Sequence, residues 1–420
     1  MPITVDGRST ILLGVLTDLV KVPLQPWALQ IIGSVIGLSA VGGVYYRWRQ
    51  PDWEQRHPAL HAFCAVSPAW LAVRLVAASF AVMVNFEVGP EALWEAETGR
   101  LAFEASGPTI LYILFFACFL MPFLTDYGFM EFVGILVQRP FSVLFRLPGR
   151  AAIDATASFV SASMVGMMIS ISQYRNGFYS AREASIIATN FSIVSLPFCL
   201  VMATVAGVES HFFSWYGVVV FSCLVCAFIL CRLPPLASIP DEHFRAPSAR
   251  SDDAGGPVLR RAFAAATARA AAADSPQEIA ARAWHSALGL VANVLGTSMV
   301  IATCTLVLVE HTPVFEWLSY PIYLALEAAG LAEARLAGVA VLVGFLDVFT
   351  PALLVVDVPS ETTRFVVAGV AVSQILYMSD LGALILRSGL PLPLQTLFTL
   401  FCLRTVIILP IFIVAAELIL

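Results

Sequence analysis

The sequence predicts an all-α polytopic membrane protein of about eight transmembrane helices plus two re-entrant hairpins, arranged as inverted-topology repeats. Three observations predict it. The 420-residue chain is 59 % hydrophobic and only 12 % charged, whereas a soluble domain averages about a quarter charged. Eight windows are apolar enough to cross a hydrocarbon core of about 30 Å as helix: 28–46, 67–87, 109–125, 185–206, 213–231, 286–309, 365–386 and 393–417. Two further apolar stretches, 149–172 and 336–358, carry aspartates and hydroxyls where lipid would be deepest.

Charge placement sets the topology, because Lys/Arg-rich loops stay cytoplasmic. Three segments are arginine-rich: 46–58 (Arg47, Arg49, Arg56), 126–150 (Arg139, Arg146, Arg150) and 232–282, which has seven arginines. Two are acidic: 87–104 has five glutamates to one arginine, and 310–335 has four to one. Every basic segment falls inside and every acidic one outside only if 149–172 does not cross. If it crosses, the seven-arginine segment lands opposite the two earlier basic loops. The simplest topology has 149–172 enter from the cytoplasmic side and turn back. Irregular backbone at that depth needs protein or a watery cavity around it, so Asp154 and its neighbouring serines are expected to face a cavity. The alternative is a tilted spanning helix whose serines bond back to their own turn.

Taken in order, the first crossing contains "GSVIG" (Gly33, Gly37), a small-xxx-small packing face. The stretch 126–145 reads as a helix along the cytoplasmic interface, with Glu131 paired structurally to Arg139, Arg146 or Arg150. After 233–284 the same order returns: a crossing at 286–309, an interfacial stretch at 313–331, and "VLVGFLDVFTPALLVVDVPSETT" (341–363). That second interruption holds Asp347, Thr350 and the helix-breaking Pro351. Crossings at 365–386 and 393–417 complete a match, element for element, to 109–231. The first copy begins outside and the second inside, so the repeats are inverted. Broken segments in corresponding positions point to a secondary transporter with its site near the midplane, where half-helix ends present free N–H and C=O groups.

The crossing after each hairpin is polar too. "EASIIATNFSIVSLPFCLVMA" carries Asn190, Ser192, Ser195 and Pro197; "VVAGVAVSQILYMSDLGALIL" carries Ser373, Gln374, Ser379 and Asp380. Each hydroxyl alone reads as helix–helix hydrogen bonding. Asp154, Asp347, Asp380, Asn190 and Gln374 together read as a ligand or ion pathway.

Other function classes are excluded. No GxxxxGK[ST] loop occurs, so energy for transport would come from an ion gradient. The eight cysteines include "CLVC" (Cys223, Cys226), but no His or Cys lies at zinc-ligand spacing, and the pair reads as packing. A single lysine, Lys21, speaks against a nucleic-acid surface. No catalytic constellation and no YD plus GxGD pair of intramembrane proteases is present, so no enzyme is expected. No signal peptide opens the chain, so insertion is expected to rely on the transmembrane helices. The division is 1–105 (scaffold helices), 106–232 (first repeat), 233–284 (cytoplasmic linker) and 285–420 (second repeat). Within the linker, "PSARSDDAGGP" is flexible by composition, 258–273 reads as a surface helix, and "SPQE" (275–278) is a capping box.

"LTDYGFMEFVG", "FRLPGRAAIDATASFVSASMVG", "AREASIIATNFSIVSLPFCLV", "GFLDVFTPALL" and "SQILYMSDLGALILRSGLPL" together resemble the bacterial YjiH-like membrane proteins, which contain the nucleoside-recognition (Gate) domain. The resemblance runs from about residue 7 to the C-terminus; such proteins usually begin with a further hydrophobic segment. It implies a fold similar to concentrative nucleoside transporters, with two re-entrant hairpins and unwound helices framing the site. It places functional residues at Asp154, Ser158, Ser161 and Ser163 in the first hairpin and at Asp347, Thr350 and Pro351 in the second. It implies a multi-pass protein of the bacterial inner membrane carrying a nucleoside, amino acid or dipeptide. No cofactor is implied beyond Na+ as a candidate coupling ion, H+ being the other. Partners would be the solute, the bilayer, and a second copy or a smaller Gate-domain protein. The competing reading is a non-transporting Gate-domain subunit that assembles with a partner membrane protein.

Overall fold

The computed structural model describes residues 2–5, 8–49, 52–160, 163–245 and 257–420. Beyond a short opening hairpin, β1 (Pro2–Val5) paired antiparallel with β2 (Arg8–Ile11), the described elements are helical. The N-terminal part holds α1 (Leu12–Leu24), α2 (Ala28–Arg49), the short α3 (Trp53–Arg56) and α4 (Pro58–Cys64), α5 (Pro68–Phe86) and one turn, α6 (Gly99–Leu101).

Two runs follow in the same order. The first is α7 (Gly107–Thr125), α8 (Phe129–Phe145), α9 (Arg150–Val160), α10 (Ser163–Arg175), α11 (Ala181–Asn190), α12 (Leu196–Val205) and α13 (Phe212–Leu230). After α14 (Val258–Ala271) comes the second: α15 (Pro276–His311), α16 (Val314–Ala328), α17 (Ala334–Val343), α18 (Thr350–Leu354), α19 (Glu361–Gln374), α20 (Ala383–Ser388) and α21 (Leu394–Ile419). Each run is therefore a long helix, an intermediate helix, a helix pair, a helix broken in two, and a long helix.

Among the described residues, six helices are long and apolar enough to cross a membrane: Leu13–Arg49, Pro68–Phe86, Gly99–Phe123, Glu209–Leu230, Pro276–His311 and Leu394–Ile419. They coincide with six of the eight crossings expected from sequence. The other two, 185–206 and 365–386, are not continuous rods. The first stops at Asn190 and restarts at Leu196; the second stops at Gln374 and continues through a π-helical turn (Met378–Gly382) into α20. Pro197, at the second position of α12, lacks the N–H that would carry helix through the first break.

The chain forms two compact units. The first comprises Met1–Leu120, Leu200–Phe212 and Ser275–Ala368. Inside it Gly33 of α2 closes on Asn85 of α5: a Cβ there would lie 2.9 Å from Nδ2. Gly37, expected on the same packing face, meets nothing within 4 Å. The buried Arg74 of α5 donates to Phe63 O (2.7 Å), Ser39 O (3.3 Å) and Asn293 Oδ1 (2.9 Å), joining α2, α4, α5 and α15 by charge-assisted bonds. The expected capping box opens α15: Ser275 Oγ accepts from Glu278 N–H while the Glu278 carboxylate accepts from Ser275 N–H.

The second unit comprises Met121–Cys199, Phe213–Asp274 and Gly369–Leu420. Here α10 turns back on α9 so closely that a Cβ on Gly166 would fall on Ser158. The linker helix α14 docks on α8 through the ring pair Phe132–Phe263 (5.1 Å). Arg269 of α14 pairs with Asp126 (3.3 Å) and Glu131 (3.8 Å). The partner of Glu131 among the described residues is thus Arg269, not Arg139, Arg146 or Arg150; a residue 138 positions downstream in sequence supplies it, which spacing alone cannot show.

Candidate functional site

The site grows out of the two helix breaks. A helix end leaves its last four C=O groups without intrahelical partners, and at α19 each is answered by name. Tyr377 Oη donates to Ala371 O (3.3 Å) and Val372 O (2.8 Å), Arg404 Nη2 to Ser373 O (2.8 Å), and Leu376 N–H to Gln374 O (2.7 Å). The last bond closes over Ile375, whose φ is +64°. A β-branched residue in the left-handed region is strained, at about 1–3 kcal/mol, and persists only where surroundings over-determine it. Ile375 is fully buried, and the carbonyl partners above are those surroundings.

The same arginine answers the first break. Arg404 Nη1 donates to Thr189 O (3.2 Å) in the last turn of α11 and to Asn190 Oδ1 (3.0 Å). Asn190 Nδ2 in turn donates to Ile186 O and Thr189 Oγ1, both 3.1 Å. Past the break, Phe191 is held between Phe141 (4.6 Å) and Phe145 (4.8 Å) of α8. Arg404 itself is wholly buried near the midpoint of α21, the candidate span of highest mean hydropathy, 2.5. An arginine at such a depth costs about 2.5–3.5 kcal/mol on insertion scales, offset here by bonds to both broken helices.

Around it lie further polar groups of the same unit. Ser222 Oγ is 3.2 Å from Ser373 Oγ, Cys223 Sγ is 3.9 Å from Arg404 Nη2, and Gln374 Nε2 donates to Thr405 Oγ1 at 2.9 Å. Of the residues expected from sequence, Asn190, Ser373 and Gln374 therefore come together, with Arg404 at the centre. Ser195 is buried in the non-helical segment between α11 and α12, and Ser379 lies in the π turn. Ser161 and the side chains of Ser163 and Asp380 lie outside the described residues.

The aspartates occupy two separate settings. Asp154 of α9 is buried, and its Oδ2 accepts from Tyr179 Oη at 2.6 Å, fastening the helix pair to the start of α11. Tyr179→Phe is expected to destabilise the protein by about 1–3 kcal/mol, since it leaves a buried carboxylate without this donor; thermal unfolding of the purified variant checks it. Hydroxyls on the pair bond back within their own helices: Thr156 to Ala152 O, Ser158 to Asp154 O, Ser170 to Gly166 O. In the other unit, Asp347 Oδ2 accepts from Phe349 N–H (2.9 Å), Thr350 N–H (3.1 Å) and Thr350 Oγ1 (3.0 Å), closing the turn that opens α18. Pro351 follows at its second position, where no N–H is required.

Sequence reasoning missed Arg404, Tyr179, Thr405 and Tyr377. For Arg404 a signal existed: an arginine near the middle of a 26-residue apolar helix whose one other charge, Glu417, lies near its end. Tyr179 and Tyr377 carry none, because aromatic residues are common at such places for packing alone. Among the described residues no group of three or more His, Cys, Asp or Glu is arranged to hold a metal ion.

The Gate nucleoside-recognition model matches residues 108–209, from α7 to just past the end of α12. An uncharacterised protein of Alkalihalophilus pseudofirmus is 36 % identical over 420 residues, covering 99 % of this chain and 91 % of that protein. Two variants of CNTnw solved in an outward-facing state align with 95 % and 96 % of this chain, and with 96 % and 98 % of theirs, at 13 % and 14 % identity and TM-scores of 0.42 and 0.41. By its identity with the Alkalihalophilus pseudofirmus protein along nearly the whole chain, and by the Gate match over 108–209, this multi-pass membrane protein belongs to the YjiH-like family of Gate-domain proteins.

Proposed function

We propose that this protein is a secondary active transporter of a small polar organic solute, of nucleoside, amino-acid or dipeptide class, driven by Na+ or H+ across the bacterial inner membrane. The observation that carries the reading is the pair of breaks, at Asn190–Leu196 and Gln374–Met378, in corresponding positions of two matching runs of helices. Discontinuous helices so placed mark the solute site of many secondary transporters, because free backbone groups and buried side chains can face a ligand there. In this reading α9–α10 and α17–α18 re-enter the bilayer from opposite faces. Ser195, Ser379 and Asp380 supply contacts to the solute, Asn190, Ser373 and Gln374 shape the site around Arg404, and Asp154 with Tyr179 forms the group that responds to a driving ion. Asp347, Thr350, Ser158, Ser161 and Ser163 support the two helix pairs.

Uptake by proteoliposomes tests it. Labelled uridine, alanine and dialanine are offered under an imposed Na+ or H+ gradient. At least one is expected to accumulate above protein-free vesicles, with the gain abolished by an ionophore. No gradient-dependent flux for any of the three classes would argue for a non-transporting Gate-domain subunit.

A further inference from the structure

One guanidinium ends two helices. The C-termini of α11 and α19 both terminate on Arg404, through Thr189 O and Asn190 Oδ1 on one and Ser373 O on the other, at 2.8–3.2 Å. Each helix C-terminus carries roughly half a negative charge. Two of them amount to about one, which a single guanidinium balances. No carboxylate among the described residues pairs with Arg404, so the helix ends and polar side chains are its counter-charge.

We propose that Arg404 is the permanent resident cation of this junction: it neutralises both broken helices, sets the spacing between them, and closes the junction to Na+ or any other dissolved cation. The oxygen atoms a hard cation would need as ligands are the ones already accepting from Arg404. A second cation would sit against the positive guanidinium already there. Nη1 serves Thr189 and Asn190 and Nη2 serves Ser373, so the end-on fork of this side chain is occupied, while its Nε has no hydrogen-bond partner among the described residues. Resting on the transport reading, one consequence follows: a driving ion acts away from the half-helix C-termini.

The test reads stability, not flux, so its failure is separable from a failure of the transport reading. Thermal unfolding of the purified full-length protein is followed in NaCl, KCl and choline chloride at equal ionic strength, for wild type, Arg404→Lys, Arg404→Gln and Arg404→Ala. Any stabilisation of wild type by NaCl over KCl and choline chloride is expected to persist unchanged in Asn190→Ala. Arg404→Lys should lie below wild type and above Arg404→Gln, since charge is kept while the bridging fork is lost. Arg404→Ala should unfold earliest and recover part of the loss, saturably, on addition of methylguanidinium, which should not shift wild type. Three results would overturn the proposal: a saturable Na+ stabilisation of wild type that disappears in Asn190→Ala, an Arg404→Gln midpoint equal to wild type, or Arg404→Lys no better than Arg404→Gln. If Arg404→Ala does not fold, the wild-type salt series and the Lys–Gln comparison still decide.

Discussion

Asp347→Ala is expected to lose about 3–5 kcal/mol of stability, one of the larger effects a single substitution can have here. One oxygen of this buried carboxyl receives Phe349 N–H, Thr350 N–H and Thr350 Oγ1. Alanine strands all three donors at once, in a place where each unanswered one costs about 1–3 kcal/mol, with some of the loss relieved by relaxation. Asp347→Asn keeps an oxygen acceptor of the same reach and is expected to retain most of the stability. Chemical denaturation of the two variants side by side measures the difference. Equal losses would mean that the charge matters rather than the turn, and would return Asp347 to the role of an ion-linked carboxylate.

The aspartate illustrates what the sequence could and could not say. An acid within an apolar run reads as functional, yet Asp347 stands three residues ahead of Thr350–Pro351, and this spacing also fits a side chain that closes a turn ahead of a helix. The long crossings were legible because about 20 apolar residues in succession have few other uses in a helical protein. The first break was legible in part, since Asn190, Ser192 and Ser195 precede Pro197. The second was not. Between Gln374 and Met378 the chain reads Ile-Leu-Tyr, without glycine or proline, and local propensity favours continuing the helix. What breaks it is tertiary: a guanidinium 31 residues away on Ser373 O and a phenol folded back on Ala371 and Val372.

A break imposed by distant contacts also explains why so much polarity collects around it. Backbone groups released inside an apolar layer must find partners within the protein. At α19 these are Tyr377, Arg404 and a tight backbone turn, and at α11 the arginine again. The buried polar cluster is thus partly the consequence of the irregular backbone.

The position of α19 against α21 is set by a missing side chain, and Gly369→Val is expected to disrupt it. A Cβ on Gly369 would fall on the ring of Phe412, which is fully buried in α21. The ring has nowhere to turn, so even Gly369→Ala must push the helices apart, at about 1–3 kcal/mol for overpacking. Valine adds two methyl groups and should exceed that range or prevent folding. Gly369 lies one turn before Ser373, so the displacement lengthens the 2.8 Å bond from Arg404 to Ser373 O and loosens the strained turn at Ile375. Gly369→Ala should therefore lower the unfolding midpoint, and the paired change Phe412→Leu, by making room, should restore part of it. An alanine variant as stable as wild type, or no rescue by Phe412→Leu, would show that α19 and α21 are held apart by something other than this contact.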